Sequence, residues 1–139
     1  MINFIALAAG IIVAVVIIFQ FNQLESTKIK WIYPLILATL PAYYWIFAIY
    51  VVNYDALLKE VLFGTLFIAA ALLSFRFSSS FGRLALGAGF VIHALYDIAH
   101  VKLSGYSIAP IWWPEFCGAV DMILGFYLLW IHFANYRLS

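Results

Sequence analysis

The chain is predicted to be all-α, an integral membrane bundle of five transmembrane helices, and three observations predict it. Of its 139 residues, 68% are hydrophobic and only 9% are charged, too little polar surface to coat a globule in water. Mean hydropathy is +1.09. The apolar residues also gather into five stretches, each near the ~20 residues that an α-helix needs to cross a hydrocarbon core about 30 Å thick.

The stretches run Ile2–Phe21, Ile32–Val52, Ala56–Phe75, Leu84–Val101 and Pro114–Phe133. The first has no basic residue before it, is longer than a signal-peptide core and ends in Gln-Phe-Asn-Gln, so it is expected to be a retained helix. In the second, Pro34 suits a first-turn position, whereas Pro41 falls in the interior and is expected to kink the helix. The third carries Lys59-Glu60 near its start. Gly64, Gly82 and Gly89 offer small surfaces on which the third and fourth helices can approach. The fifth opens on Pro114, again a first-turn position. The longest loop, Lys102–Trp113, contains Gly105, Pro110 and the pair Trp112-Trp113, whose rings favour the headgroup layer. No linker or repeat divides residues 1–139, which read as one domain.

An odd number of crossings puts Lys28, Lys30, Arg76, Arg83 and Arg137 on one side and Lys59 and Lys102 on the other. The positive-inside rule then places the N-terminus outside and the C-terminus in the cytoplasm. The acids divide the other way. Only Glu25 lies on the cytoplasmic side, while Asp55, Glu60, Asp97, Glu115 and Asp121 collect toward the outer half. A net charge of +1 gives no argument for nucleic acid, and the single cysteine, Cys117, forms no internal disulfide.

The fourth stretch carries the chemistry. His93, Asp97 and His100 stand at i, i+4 and i+7 in a run otherwise apolar enough for lipid, and their side chains fall within roughly 60° of one another on a helix. Ionisable groups at such depth cost about 2.5–3.5 kcal/mol each even on the lenient insertion scale. At a rise of about 1.5 Å per residue, Glu60 sits roughly 6 Å in from the outer end, Asp97 about 7–8 Å, Asp121 about 10 Å and His93 about 13 Å, with His100 near the surface. Cys117 lies one turn before Asp121 on the same face.

Carboxylates and imidazoles crowded into one low-dielectric pocket need compensation. A divalent metal supplies it, since histidine nitrogen and carboxylate oxygen are ligands for zinc and for non-haem iron. Alternatively the acids are partly protonated and hydrogen-bonded to the histidines, which makes a metal-free acid–base site. The sequence leaves both open.

The order Glu60, then Gly87-x-Gly89-x3-His93-x3-Asp97-x2-His100-x4-Gly105-x2-Ile108-x-Pro110, then Cys117-x3-Asp121, resembles a family of small bacterial membrane proteins defined by the domain of unknown function 6010. The resemblance covers roughly residues 60–128. Two features depart from it. Val101 stands where many members have a second histidine after the one matching His100, and Trp112-Trp113-Pro114 replaces small polar residues. The resemblance implies a site and a bacterial cytoplasmic (inner) membrane, with no reaction attached.

Each residue also has a plainer role open to it. His93 can bridge two helices, Asp97 and Asp121 can pair with histidines for structure alone, and Glu60 and Glu115 can be interfacial acids favoured by a helix N-terminus. Cys117 reads first as a small buried hydrophobe, and His132, at the other end, as a capping or snorkelling residue. Phosphate loops, a serine elbow, a Cys-x2-Cys pair and a mid-helix lysine for retinal are absent from the sequence. The tyrosines Tyr43, Tyr44, Tyr50 and Tyr54 can line a pocket for a lipid or polyene, with interfacial anchoring explaining the outer two.

The leading expectation is a membrane-embedded metal-dependent enzyme, a hydrolase, isomerase or oxidoreductase, acting on a lipid or other hydrophobic substrate from the outer leaflet. His93, Asp97, His100 and Asp121 are the expected ligands of zinc or iron, and Glu60 and Asp121 the expected catalytic acid–base groups. The alternative is a metal- or proton-binding accessory or transport subunit, which at this size needs a homo-oligomer or a larger membrane complex. The topology has its own test: reporter fusions at the two ends are expected on opposite sides, residue 1 outside and Arg137 in the cytoplasm, and fusions on the same side would defeat the five-helix count.

Overall fold

The computed structural model describes residues 2–24, 26–76, 79–103 and 108–137. Expectations placed on Glu25 and Gly105, and on the side chains of Lys28, Arg76, Val101, Lys102 and Arg137, lie outside the described residues and side chains. The described secondary structure is all helical: α1 Phe4–Asn22, α2 Ser26–Tyr50, α3 Tyr54–Arg76, α4 Ser79–Leu103 and α5 Trp113–Arg137. All five are long and apolar enough to cross a membrane.

Two helices start five or six residues earlier than the apolar pattern predicts, α2 at Ser26 and α4 at Ser79. Hydropathy marks only the lipid-facing length, and a helix continues through polar residues because its backbone bonds are internal. Pro34 therefore sits inside α2 with Pro41, not in its first turn. Pro114, by contrast, does occupy the first turn of α5.

Local signals fix the helix ends. Asn3 caps α1, its side chain accepting from the Ala6 N–H at 3.0 Å. Between α2 and α3 the Val52 N–H donates to the Ile49 carbonyl and the Asn53 N–H to the Ala48 carbonyl, the paired bonds of a Schellman stop. Asn53 then caps α3 by accepting from the Ala56 N–H at 3.0 Å. That stop puts the β-branched, exposed Val52 at φ 54°, in the left-handed region.

The helices pack in the order α1, α5, α4, α3, α2, with α2 also reaching α4. α4 touches three neighbours and is the central helix. α1 and α5 run in the same direction: the Asn3 N–H donates to Glu115 Oε1 at one end (3.4 Å), and the Tyr127 hydroxyl donates to Asn22 farther along. Lipid-facing side chains supply no attraction between helices, so close backbone approach matters. A Cβ at Gly10 would collide with the Phe116 carbonyl of α5. Gly87 and Gly125 bring α4 and α5 together backbone to backbone, a Cβ on Gly125 falling 2.9 Å from the Gly87 carbonyl. Of the glycines expected between α3 and α4, Gly82 lies against the Ser74 carbonyl of α3, whereas Gly64 receives Pro41 of α2 and Gly89 receives Leu37 of α2. Trp113 is buried in the bundle, 8% exposed with its ring against those of Tyr43 and Phe47, while Trp112 stays exposed.

A non-glycine residue in the left-handed region costs about 1–2 kcal/mol, less for Asn, whose short polar side chain tolerates it. Val52→Asn is expected to stabilise the bundle by about 1 kcal/mol, seen as a higher melting temperature in detergent.

Candidate functional site

The polar residues of α4 meet their partners on three other helices, in two tiers. The deeper tier joins α4 to α5 and α2. His93 Nδ1 donates to Asp121 Oδ2 at 2.8 Å and stands 3.7 Å from Asp97 Oδ2. Asp97 Oδ1 accepts from the Tyr44 hydroxyl of α2 at 2.8 Å. Cys117 Sγ, one turn before Asp121, donates to Asp121 Oδ2 at 3.5 Å. His93 is 1% exposed and both aspartates 0%.

The upper tier joins α4 to α3. His100 Nε2 donates to Glu60 Oε1 at 2.6 Å, and the Tyr96 hydroxyl donates to Glu60 Oε2 at 2.7 Å, so both oxygens of this buried carboxylate are engaged. Trp45 of α2 donates its indole N–H to the Glu60 backbone carbonyl at 3.0 Å, beside the Pro41–Gly64 contact that brings α2 against α3. The Tyr44 ring stands between the tiers, its centroid 5.2 Å from that of His100 and 6.4 Å from that of His93.

His93, Asp97 and Asp121 thus come together as the sequence suggested, with Cys117 as a fourth member. Their donor atoms all lie within 4.8 Å of one another. Donors around a tetrahedral ion with bonds of about 2.0–2.3 Å are about 3.3–3.8 Å apart, so this quartet, with donors within 4.8 Å, could hold one ion once its side chains draw together. Asp97 Oδ2 and Asp121 Oδ1 are buried with no hydrogen-bond partner. Such oxygens are costly unless something binds them. Imidazole, thiol and two carboxylates form a donor set that suits zinc.

His100, an expected ligand, stands with Glu60 instead. The reason is height. Residues seven apart share a helix face but are separated by about 10 Å along the axis, too far for donors of one ion. Glu60, for which a solvated interfacial position was open, is 4% exposed and paired. Glu115 accepts from Asn3, and His132 Nδ1 donates to the Ser80 carbonyl at 2.9 Å, tying α5 to the start of α4.

Sequence reasoning missed Cys117 and Tyr44 in the deeper tier and Tyr96 in the upper one. Cys117 resembled an ordinary small core residue, although its place one turn before Asp121 was the available signal. Tyr44 was seen only as one of four tyrosines. Nothing in the spacing tells which of adjacent Tyr43 and Tyr44 faces Asp97, but Tyr44 is 1% exposed and Tyr43 is exposed.

No protein-family model, curated protein or solved structure matches the chain.

Removing the Tyr44 hydroxyl leaves Asp97 with both oxygens unsatisfied by hydrogen bonds. Tyr44→Phe is expected to cost about 1–3 kcal/mol, measured by thermal melting in detergent, whereas Tyr43→Phe, on the exposed neighbour, is expected to change stability by no more than about 0.5 kcal/mol.

Proposed function

We propose that the chain is a membrane-embedded, metal-dependent enzyme acting on a hydrophobic substrate held in the leaflet around the Asn3 end of the bundle. The observation that carries this is the buried quartet of His93, Asp97, Cys117 and Asp121, whose donor atoms lie within 4.8 Å of one another and whose Asp97 Oδ2 and Asp121 Oδ1 have no hydrogen-bond partner. With both aspartates ionised the quartet carries two negative charges, which one divalent cation neutralises in a medium where unpaired charge is costly.

A bound zinc or iron ion would supply Lewis acidity toward a substrate oxygen or a bound water. The chain's own residues do the rest. Asp121 orients the His93 ring through its hydrogen bond, and Tyr44 fixes the Asp97 carboxylate. Glu60, paired with His100 one tier nearer the helix ends, is the acid–base group. A largely apolar exterior brings lipid-like substrates to the bundle laterally, without passage through water. The resemblance to the domain of unknown function 6010 agrees with a site at these residues and adds no reaction.

Asp97→Asn separates an ion site from a structural pair. Asparagine keeps the shape and still accepts from Tyr44, yet removes a ligand charge, and is cheaper to bury than aspartate. Elemental analysis of protein purified in detergent is expected to find about one zinc or iron per chain, lost in Asp97→Asn with the melting temperature kept. A parent protein without metal, combined with a destabilised Asp97→Asn, would defeat this proposal and leave the cluster as a structural hydrogen-bond network.

A further inference from the structure

We propose that the end of the bundle where α4 begins carries a phosphate-binding site, with the Arg83 guanidinium and the hydroxyls of Tyr33 and Ser80 as its donors. The site lies apart from the quartet and does not depend on an ion there.

Arg83 is placed by the same helical step that places Asp97. Arg83, Phe90 and Asp97 follow one another at intervals of seven residues and so share a face of α4, the face on which Asp97 takes the Tyr44 hydroxyl of α2. On α2, Tyr33 stands eleven residues before Tyr44, within about 20° of the same direction. The two helices run parallel, since Leu37 seats against Gly89 and Tyr44 against Asp97. Either contact carried along the helices puts Tyr33 about 3–5 Å from the Arg83 level, and side chains lean toward the N-terminus of their helix, which brings the Tyr33 hydroxyl closer to that level.

This end therefore repeats the arrangement of Tyr44 and Asp97, a tyrosine of α2 with a charged residue of α4, but without a bond. Tyr33 is 3% exposed and its hydroxyl has no hydrogen-bond partner; Arg83 Nε is buried and has none either. Arginine only donates, and the phenol proton still needs an acceptor. Among the described residues no carboxylate lies in this half of the bundle. Asp55, Glu60, Glu115 and Asp121 stand in the first halves of α3 and α5, and Asp97 is about 21 Å along α4 from Arg83. The missing partner is an anion.

Ser80, one turn before Arg83, adds a third donor. His132 Nδ1 reaches both oxygens of Ser80, the carbonyl at 2.9 Å and the hydroxyl at 3.3 Å, so the hydroxyl accepts and keeps its own hydrogen to give. Ser80 also stands in the first turn of α4, at the positive end of the helix dipole. A guanidinium fork, hydroxyls and a helix start suit phosphate, which presents several oxygens and a full negative charge. Trp31 of α2 and Trp130 and Phe133 of α5 are exposed at this same end, as in an aromatic belt, which sets the site at the depth of lipid headgroups. Buried Leu37, Leu86, Phe90, Leu124 and Leu128 separate it from the quartet.

Protein delipidated in a neutral detergent is titrated in separate arms with dioleoylphosphatidylglycerol, with dioleoylglycerol, which has the same chains and no phosphate, and with inorganic phosphate; binding is read from the rise in melting temperature. The phosphatidylglycerol arm is expected to saturate and the dioleoylglycerol arm to stay flat. Arg83→Gln is expected to weaken phosphatidylglycerol binding about tenfold or more and Tyr33→Phe about threefold, whereas Lys30→Gln, at an exposed lysine of the same end, is expected to change it less than about twofold. Where Arg83→Gln fails to fold, Arg83→Lys keeps the charge, loses the fork and is expected to weaken binding about fivefold. Arg83-dependent protection by phosphatidylglycerol alone assigns the site to a lipid headgroup, and the same protection by inorganic phosphate assigns it to the free ion as well. No protection in either phosphate arm, equal protection by dioleoylglycerol, binding unchanged in the folded Arg83 variant, or an equal loss in Lys30→Gln would overturn the site. Chelator-treated protein serves throughout, so failure here and failure of metal binding at the quartet are separate results.

Discussion

Three carboxylates lie inside a bundle whose outer surface is largely apolar, and most of the helix arrangement answers to that burial. Asp121 is met by His93, Asp97 by Tyr44, and Glu60 by His100 and Tyr96. In each of these bonds the acid and its partner come from different helices. Apolar side chains slide past one another at little cost, and lipid tails compete with them for contact; a buried carboxylate has few acceptable positions. The polar pairs therefore fix the rotation and height of α2, α3 and α5 against α4.

Distances below 3 Å between side chains on neighbouring helices require backbones that approach closely, and small residues provide this near each tier. Gly87 and Gly125 sit below the His93–Asp121 bond, where their lack of Cβ lets α4 and α5 touch. Gly64 receives Pro41 one turn after Glu60, and the adjacent Trp45 indole holds the Glu60 carbonyl. α1 stands apart from this scheme. It packs through Ala6, Gly10 and Ala14 on α5 and brings none of its side chains to the quartet.

The helix count and the convergence of His93, Asp97 and Asp121 were legible because both follow from quantities a sequence states directly, apolar run length and the 100° step of a helix. Which residues share an ion was less legible. The face of α4 common to His93 and His100 is an angular fact, whereas coordination also needs equal height, and the pairing of His100 with Glu60 rests on where α3 ends up along α4. Pro34 shows the same limit in another form. Its first-turn placement assumed that the helix begins where lipid begins, yet α2 starts at Ser26, in polar residues that helix bonding tolerates without hydrophobic support. Tyr44 was hidden by its neighbour, since a step of one residue turns a side chain by 100°, and only the packing of α2 on α4 selects between Tyr43 and Tyr44.

Under the proposed function, the two tiers divide tasks that conflict if given to the same groups. A site that holds a cation wants its carboxylates ionised, with their lone pairs turned toward one point; a site that moves protons wants groups that change protonation without loss of structure. Glu60 meets the second need because both of its oxygens are bonded by groups that remain donors, a ring N–H and a phenol. Asp97 and Asp121 meet the first, each keeping one bonded oxygen for position and one free oxygen. Separation by one to two helical turns leaves the quartet the more deeply buried of the two tiers, and burial is what strengthens each electrostatic interaction there.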